Sequence, residues 1–344
     1  MNHGDSRSHL AFGTYAEGLR WVGRSTPVRP CSDPVNHAQV KAYAALVRDG
    51  NPSYWDEQWA SDTWGDVLSP PGMLMVWSWP LAWVPDHVAT YPPMLAPLVP
   101  LPGDRVVNAS SRTCFGPLIR VGDRLTVEET VKAVSPERRT ALGPGHFITT
   151  EATYRLPDGT PVATHVNTML RYTVDSTGEG SAHRTPPPAP EDTPAVLADP
   201  RRPRVGGLIP GIKLDVTLET CVQCVAATRD FLPAHYDADY ARASGAPQPF
   251  INTMFIHGFI DRAGTDWAGP LSRVVRREVR FHSPAFAGAE LHASGRVVEV
   301  EAGGSSDVVV GLEIVVRSGD RLAASARCDL QIGAAARYPD SNER

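Results

Sequence analysis

One short pattern occurs twice in this 344-residue chain, and the interval between the copies is constant. Asp49, Pro52, Asp56 and Ala60 recur as Asp230, Pro233, Asp237 and Ala241, each 181 residues further on. Each copy follows a stretch of helical character. Val40, Tyr43 and Val47 lie at helical spacing before the first, and Val216 to Ala227 precedes the second. Four identities in one register, at the same place after a helix, imply an internal duplication. The chain is therefore expected to fold as two copies of one design, and its length suits two domains.

The stretch from Asp175 to Gly211 separates the copies. It contains Pro186-Pro187-Pro188, Pro190 and an Arg-Pro-rich run from Pro200 to Pro203, the composition of an extended linker. The expected division is residues 1–175, a linker over 176–210, and residues 211–344. Beyond the repeated motif each block reads as strands. In the second these are Glu290 to Glu301, Val308 to Arg317 and Leu322 to Ile332, with Gly303-Gly304 and Ser318-Gly319-Asp320 as turns. In the first, Leu125 to Val134, His146 to Arg155 and Val162 to Val174 match them, with Pro157-Asp158-Gly159 as a turn. A sheet with one apolar face needs a cover, and apolar helices over Gly72 to Val84 and Phe250 to Ala263 are the candidates. The pattern is α+β, and 32 prolines argue against a helical bundle.

The net charge of -5 gives no reason to expect nucleic acid or an anionic membrane as partner. The most apolar run, Met73 to Val84, is too short to span a bilayer and contains Pro80. Met1 to Trp21 lacks the apolar core of a signal peptide. Five cysteines, an odd number, suit a reducing cytoplasm better than a disulfide framework. Cys221 and Cys224 form a CxxC with no second half, so they read as small apolar residues on a helix. No metal site, phosphate loop or cofactor motif is expected.

The chemistry-bearing pair is Asp230 and His235. On one continuous helix they would point about 140° apart, but Pro233 deletes a donor and stops that helix. The turn that results can bring carboxylate and imidazole to one spot, where the carboxylate fixes the tautomer for general acid/base work. The pair also fits a plain turn cap beside a packed imidazole. Spacing alone does not separate the two.

The stretch Arg229-Asp230-Phe231-Leu232-Pro233-Ala234-His235-Tyr236-Asp237, followed by Ala241, resembles the hydratase motif of the MaoC-like family. These are (R)-specific enoyl-thioester hydratases and dehydratases, with a hot-dog fold in which an antiparallel sheet wraps a long helix. The family pattern, Asp-x-Asn-Pro-x-His-x-Asp, is kept except at Leu232, where Asn is usual. Asn252-Thr253-Met254-Phe255 and Thr265-Asp266-Trp267-Ala268-Gly269-Pro270 are also similar to a subgroup of the family.

The resemblance implies that Asp230 and His235 activate one water, acting as a coupled unit. It places the backbone donor for the thioester oxygen at Thr253, which suits Asn252 as an N-cap before an apolar helical run. The first block has Tyr54 in place of the His, and a phenol of ordinary pKa near ~10 is a poor base. This matches a tandem double hot-dog in which one half has lost catalysis but shapes the acyl pocket, with Gly72 as the counterpart of Thr253. Met73, Met75, Trp77, Trp79 and Trp83 suit either core or the border of that pocket. Arg276 and Arg277, in a strand-like run with Arg273 and Arg280, are candidates for the phosphates of coenzyme A or a phosphopantetheine arm; a solvated strand face competes with that reading. The expected partner is an acyl-CoA or acyl-carrier-protein thioester, with a homodimer or larger assembly open. A hot-dog thioesterase and a non-catalytic acyl-binding subunit are the rival readings.

Overall fold

The structure is a computed structural model and describes residues 10–81, 83–85, 87–88, 94–174, 196–302 and 307–333. Alternation of apolar residues builds its strands. In Val308–Ser318, for example, Val310, Leu312, Ile314 and Val316 are all fully buried on one face. The first half contributes β1 (Arg29–Pro30), β2 (Arg105–Phe115), β3 (Thr126–Val134), β4 (Arg138–Thr140), β5 (Gly143–Arg155) and β6 (Pro161–Tyr172). The second contributes β7 (Leu208–Val216), β8 (Ser272–Phe281), β9 (Ala289–Ala302), β10 (Val308–Ser318) and β11 (Arg321–Ile332).

These strands form one eleven-stranded sheet in the order β1-β3-β5-β6-β2-β8-β11-β10-β9-β7, with β4 paired to β5. The wiring is the same in both halves. Outward from the junction it runs β2, β6, β5, β3, β1 on one side and β8, β11, β10, β9, β7 on the other. At the junction β2 and β8 pair antiparallel, with Cys114 opposite Arg276 and Ser110 opposite Arg280. Two strand edges that would otherwise stand open thus satisfy one another.

The helices repeat as well. α1 (His37–Val47) is capped by Asn36 and α3 (Leu218–Thr228) by Thr217, at the same interval of 181 as the motif. Arg48 and Arg229 end them in the left-handed region, at φ 54° and 60°, and no other non-glycine residue among those described has positive φ. This costs each arginine about 1–2 kcal/mol, so its occurrence at both ends marks a geometry the motif requires. The covering helices differ. In the second half α4 (Thr253–Ala268) buries 13 of its 16 residues, as a helix surrounded on all sides must. Its counterpart is only a 3-10 turn, Pro71–Met73, leading into α2 (Leu74–Ser78).

The helix expected over Gly72 to Val84 therefore stops early, because Pro80 forces Trp79 into an extended conformation. Met73, Met75, Trp77 and Trp79 are buried, whereas Trp83 is 65% exposed in a short strand paired with His87–Val88. The linker expected over 176–210 is also too long at its C-terminal end, since β7 begins at Leu208. Before it, the Ala198 N–H donates to the Leu208 carbonyl and the Trp267 indole donates to the Ala198 carbonyl at 2.7 Å. That part of the chain is thus fastened to the second half. Residues 175–195 of the linker and the Gly303-Gly304 turn lie outside the described residues. Cys221 and Cys224 are buried on α3, as small apolar residues would be.

Candidate active site

The two sides of the site come from the turn after α3 and the start of α4. Arg229 reverses the chain, Leu232 is extended ahead of proline, and Pro233–His235 forms a single 3-10 turn. Asp237 then caps the helix Ala238–Ala243 by accepting the N–H groups of Asp239 and Tyr240. The imidazole of His235 is thereby returned toward Asp230. Its Nε2 lies 3.4 Å from Asp230 Oδ2, and both side chains are almost wholly buried.

Three further contacts fix the pair. His235 Nδ1 donates to the Phe250 carbonyl at 2.7 Å, and the Phe250 ring meets the imidazole edge-on at 4.9 Å. Nε2 is therefore the ring atom left to face the carboxylate. Asn252 donates to Asp230 Oδ2 at 3.2 Å and to the Thr228 hydroxyl at 2.7 Å, and its Oδ1 accepts the Phe255 N–H. One amide thus caps α4 and orients the carboxylate. The N–H groups of Thr253 and Met254 precede the first intrahelical bond, at the positive end of the helix dipole. Burial pushes the His235 imidazole down, but the charge of Asp230, its hydrogen bond and the Phe250 carbonyl together hold it above its ordinary value.

Leu232, the departure from the family motif, is 41% exposed and caps nothing. Its counterpart Asn51 accepts the Ser53 N–H, so the lost contact is local to the loop. Phe231 and Tyr236 are also partly exposed beside Leu232, giving this loop an apolar rim.

The structure does not bring every predicted residue to this place. Tyr54 is buried in the first half, where burial raises its phenol well above the usual range and removes it as a base. Asp49 is buried nearby and its carboxyl is pushed up to about 6, mainly by desolvation, with the Asn51 N–H opposing. Gly72 is packed against the other half: a Cβ there would lie 2.6 Å from the Gly258 backbone and 2.5 Å from the Tyr43 hydroxyl. Its role is to let the two halves' covering helices touch.

The proposed phosphate-binding role of Arg277 is likewise overturned. Its side chain is 1% exposed, ion-paired with Asp261 of α4, and its guanidinium lies 5.5 Å from the centre of the Phe115 ring. Strand alternation sends Arg276 to the outer face of the sheet, away from α4, where it pairs with Glu278. Thr228 and the Phe250 carbonyl were invisible to motif spacing, since neither stands in the repeated pattern. Among the described residues no cluster of His, Cys, Asp and Glu could hold a metal. No helix there is long and apolar enough to cross a membrane.

The profile of a FAS1-like dehydratase domain region matches residues 20–165, and that of a MaoC-like domain matches residues 212–324. A curated relative is the Mycobacterium tuberculosis "3-oxo-4,17-pregnadiene-20-carboxyl-CoA hydratase beta subunit", 32% identical over 127 residues. That alignment covers 37% of this chain and 96% of the relative. The chain belongs to the MaoC-like family.

A second curated relative, from Thermomonospora curvata and named "Probable enoyl-CoA hydratase alpha subunit", is 34% identical over 163 residues. The match takes in 44% of this chain and 50% of that relative, so the chain spans about half of its length. Among solved structures, a MaoC-like dehydratase superposes with a TM-score of 0.71 at 21% identity, covering 92% of this chain and 100% of the other. A Mycobacterium tuberculosis protein described as a double hot-dog superposes at 0.59 with 16% identity, over 90% and 96% of the two chains. The fold of this MaoC-like chain is a double hot-dog.

Proposed function

We propose that the chain catalyses (R)-specific hydration of a 2-enoyl thioester, or the reverse dehydration of a 3-hydroxyacyl thioester. The carrier is coenzyme A or an acyl carrier protein. The observation that supports this most strongly is the pairing of His235 Nε2 with Asp230 Oδ2 while Nδ1 is held by the Phe250 carbonyl. A water hydrogen-bonded to both side chains loses a proton to the pair as its oxygen adds to C3 of the enoyl group, and a proton passes from the pair to C2. Asp230 and His235 handle these protons as one coupled unit. As the enolate forms, negative charge grows on the thioester oxygen, and the donor we assign to it is the Thr253 N–H at the positive end of α4.

The first half is read as non-catalytic, with Tyr54 buried where the second half has its imidazole. Both curated relatives named above are called subunits, which favours a chain that works in a larger assembly. Asp230→Asn and His235→Ala should each reduce loss of the conjugated enoyl absorbance of a crotonyl or longer thioester by about 10²–10⁴-fold. Unchanged turnover in both variants refutes the assignment. Release of free thiol without loss of the enoyl group would identify a thioesterase instead.

A further inference from the structure

The start of α4 is held from the opposite half of the molecule. Tyr43 lies on α1, fully buried, and its hydroxyl donates to the Met254 carbonyl at 2.6 Å. Met254 immediately follows Thr253, so this bond grips the first turn of α4 one residue from the proposed oxyanion donor. The same hydroxyl leaves no room for a side chain at Gly258, where a Cβ would lie 2.5 Å away. Glycine at 258 therefore admits the phenol against the backbone of α4, one turn in.

Other contacts hold the opposite wall. Gln39, also on α1, donates to the Ala227 carbonyl at 2.6 Å, and Asp33 pairs with Arg229 at 2.9 Å. Residues 227–229 run directly into Asp230. The first half thus fixes the chain on both sides of the reacting groups, and Tyr43 is the contact nearest the donor.

We propose that Tyr43 is a positioning residue for the active site of the other half, setting the Thr253 N–H by its bond to the Met254 carbonyl. The proposal rests on the hydratase reading above. Tyr43 touches no reacting atom and acts through α4. A group fixed on two sides keeps its dipole aimed at the developing charge, and electrostatic stabilisation of that kind is lost through small misalignment. It follows that the first half cannot be removed without loosening the site in the second.

The test is Tyr43→Phe in the full chain, which keeps the ring and deletes the hydrogen bond. Removing a direct oxyanion donor costs about 10²–10³ in kcat, so losing the support of one should lower kcat by about tenfold. KM should stay within about twofold, because substrate contacts are retained. Amide hydrogen exchange in residues 253–258 should quicken more than elsewhere in the chain, with the melting temperature lowered by only about 2–4 °C. Gly258→Ala displaces the hydroxyl instead of deleting it and should act in the same direction, with little further loss in the Tyr43→Phe background. Wild-type kcat, or unaltered exchange in this turn, overturns the proposal. If wild type itself fails to hydrate, the hydratase reading falls, and exchange alone then decides the role of Tyr43.

Discussion

Replacing Asp261 with alanine separates a core ion pair from a substrate-binding one. Asp261 sits on α4 and Arg277 on β8, with side chains 6% and 1% exposed, so the substitution leaves a guanidinium in the core without its counter-ion. Removing one partner of such a pair costs about 3–5 kcal/mol, because the desolvation of the remaining charge is no longer offset. The pair is imperfectly satisfied even when intact: Asp261 Oδ1 and Arg277 Nε have no partner among the described residues. Apolar replacement of both residues, Asp261→Leu with Arg277→Met, should therefore recover most of the loss and end within about 1 kcal/mol of wild type. Denaturant unfolding of wild type, Asp261→Leu, Arg277→Met and the double variant gives the cycle, with Asp261→Ala as a second single substitution. A single substitution costing less than about 1 kcal/mol, or a double variant as unstable as the two losses combined, refutes the reasoning. Had Arg277 gripped a phosphate, Arg277→Met would raise KM for the thioester and leave stability intact.

Two further outcomes follow from the first half. Burial raises Asp49 to about 6 from an ordinary 3.8, so its contribution to stability is present below the ordinary value and lost as pH rises through about 6. Asp49→Asn should accordingly stabilise the protein at pH 8, by about 1–3 kcal/mol, with little gain at pH 4, as read from denaturation midpoints; equal effects at both pH values would contradict this. Tyr54→His in the Asp230→Asn background should restore no hydratase turnover, because Gly72, the counterpart of Thr253, is packed against Gly258 and sits in a three-residue 3-10 turn without the long helix whose dipole backs Thr253. Recovered activity would show that the first half retains an open site.

Much of the candidate site is local, and that is why it was legible. Asp230, Pro233, His235 and Asp237 lie within eight consecutive positions, and the turn that gathers them is enforced by proline and by a cap. Asn252 was readable as an N-cap because the apolar run of α4 begins just after it. The amide's second task, orienting Asp230, could not be read, since that contact joins residues 22 positions apart. The arginines of β8 misled for a related reason. A run of basic residues along a strand does not disclose which of them faces inward, and Arg277 is buried only because Asp261 meets it there. The Gly72 to Val84 run misled in the opposite way: its apolar residues fit a helix, but Pro80 ended it.

The sequence by itself determined the duplication, the α+β character, the difference between Tyr54 and His235 in the two copies, and the choice of Asp230 and His235 as the candidate pair. Each is written in spacing, periodicity or residue type, which act over a few positions or repeat at a fixed interval. Only the tertiary structure decided that β2 and β8 fuse the copies into one sheet, that Gly72 and Gly258 bring the covering helices into contact, and that Tyr43 reaches across to hold α4. Those are meetings of distant segments. They depend on how strands pair and how closely backbones pack, and no local pattern in the chain encodes either.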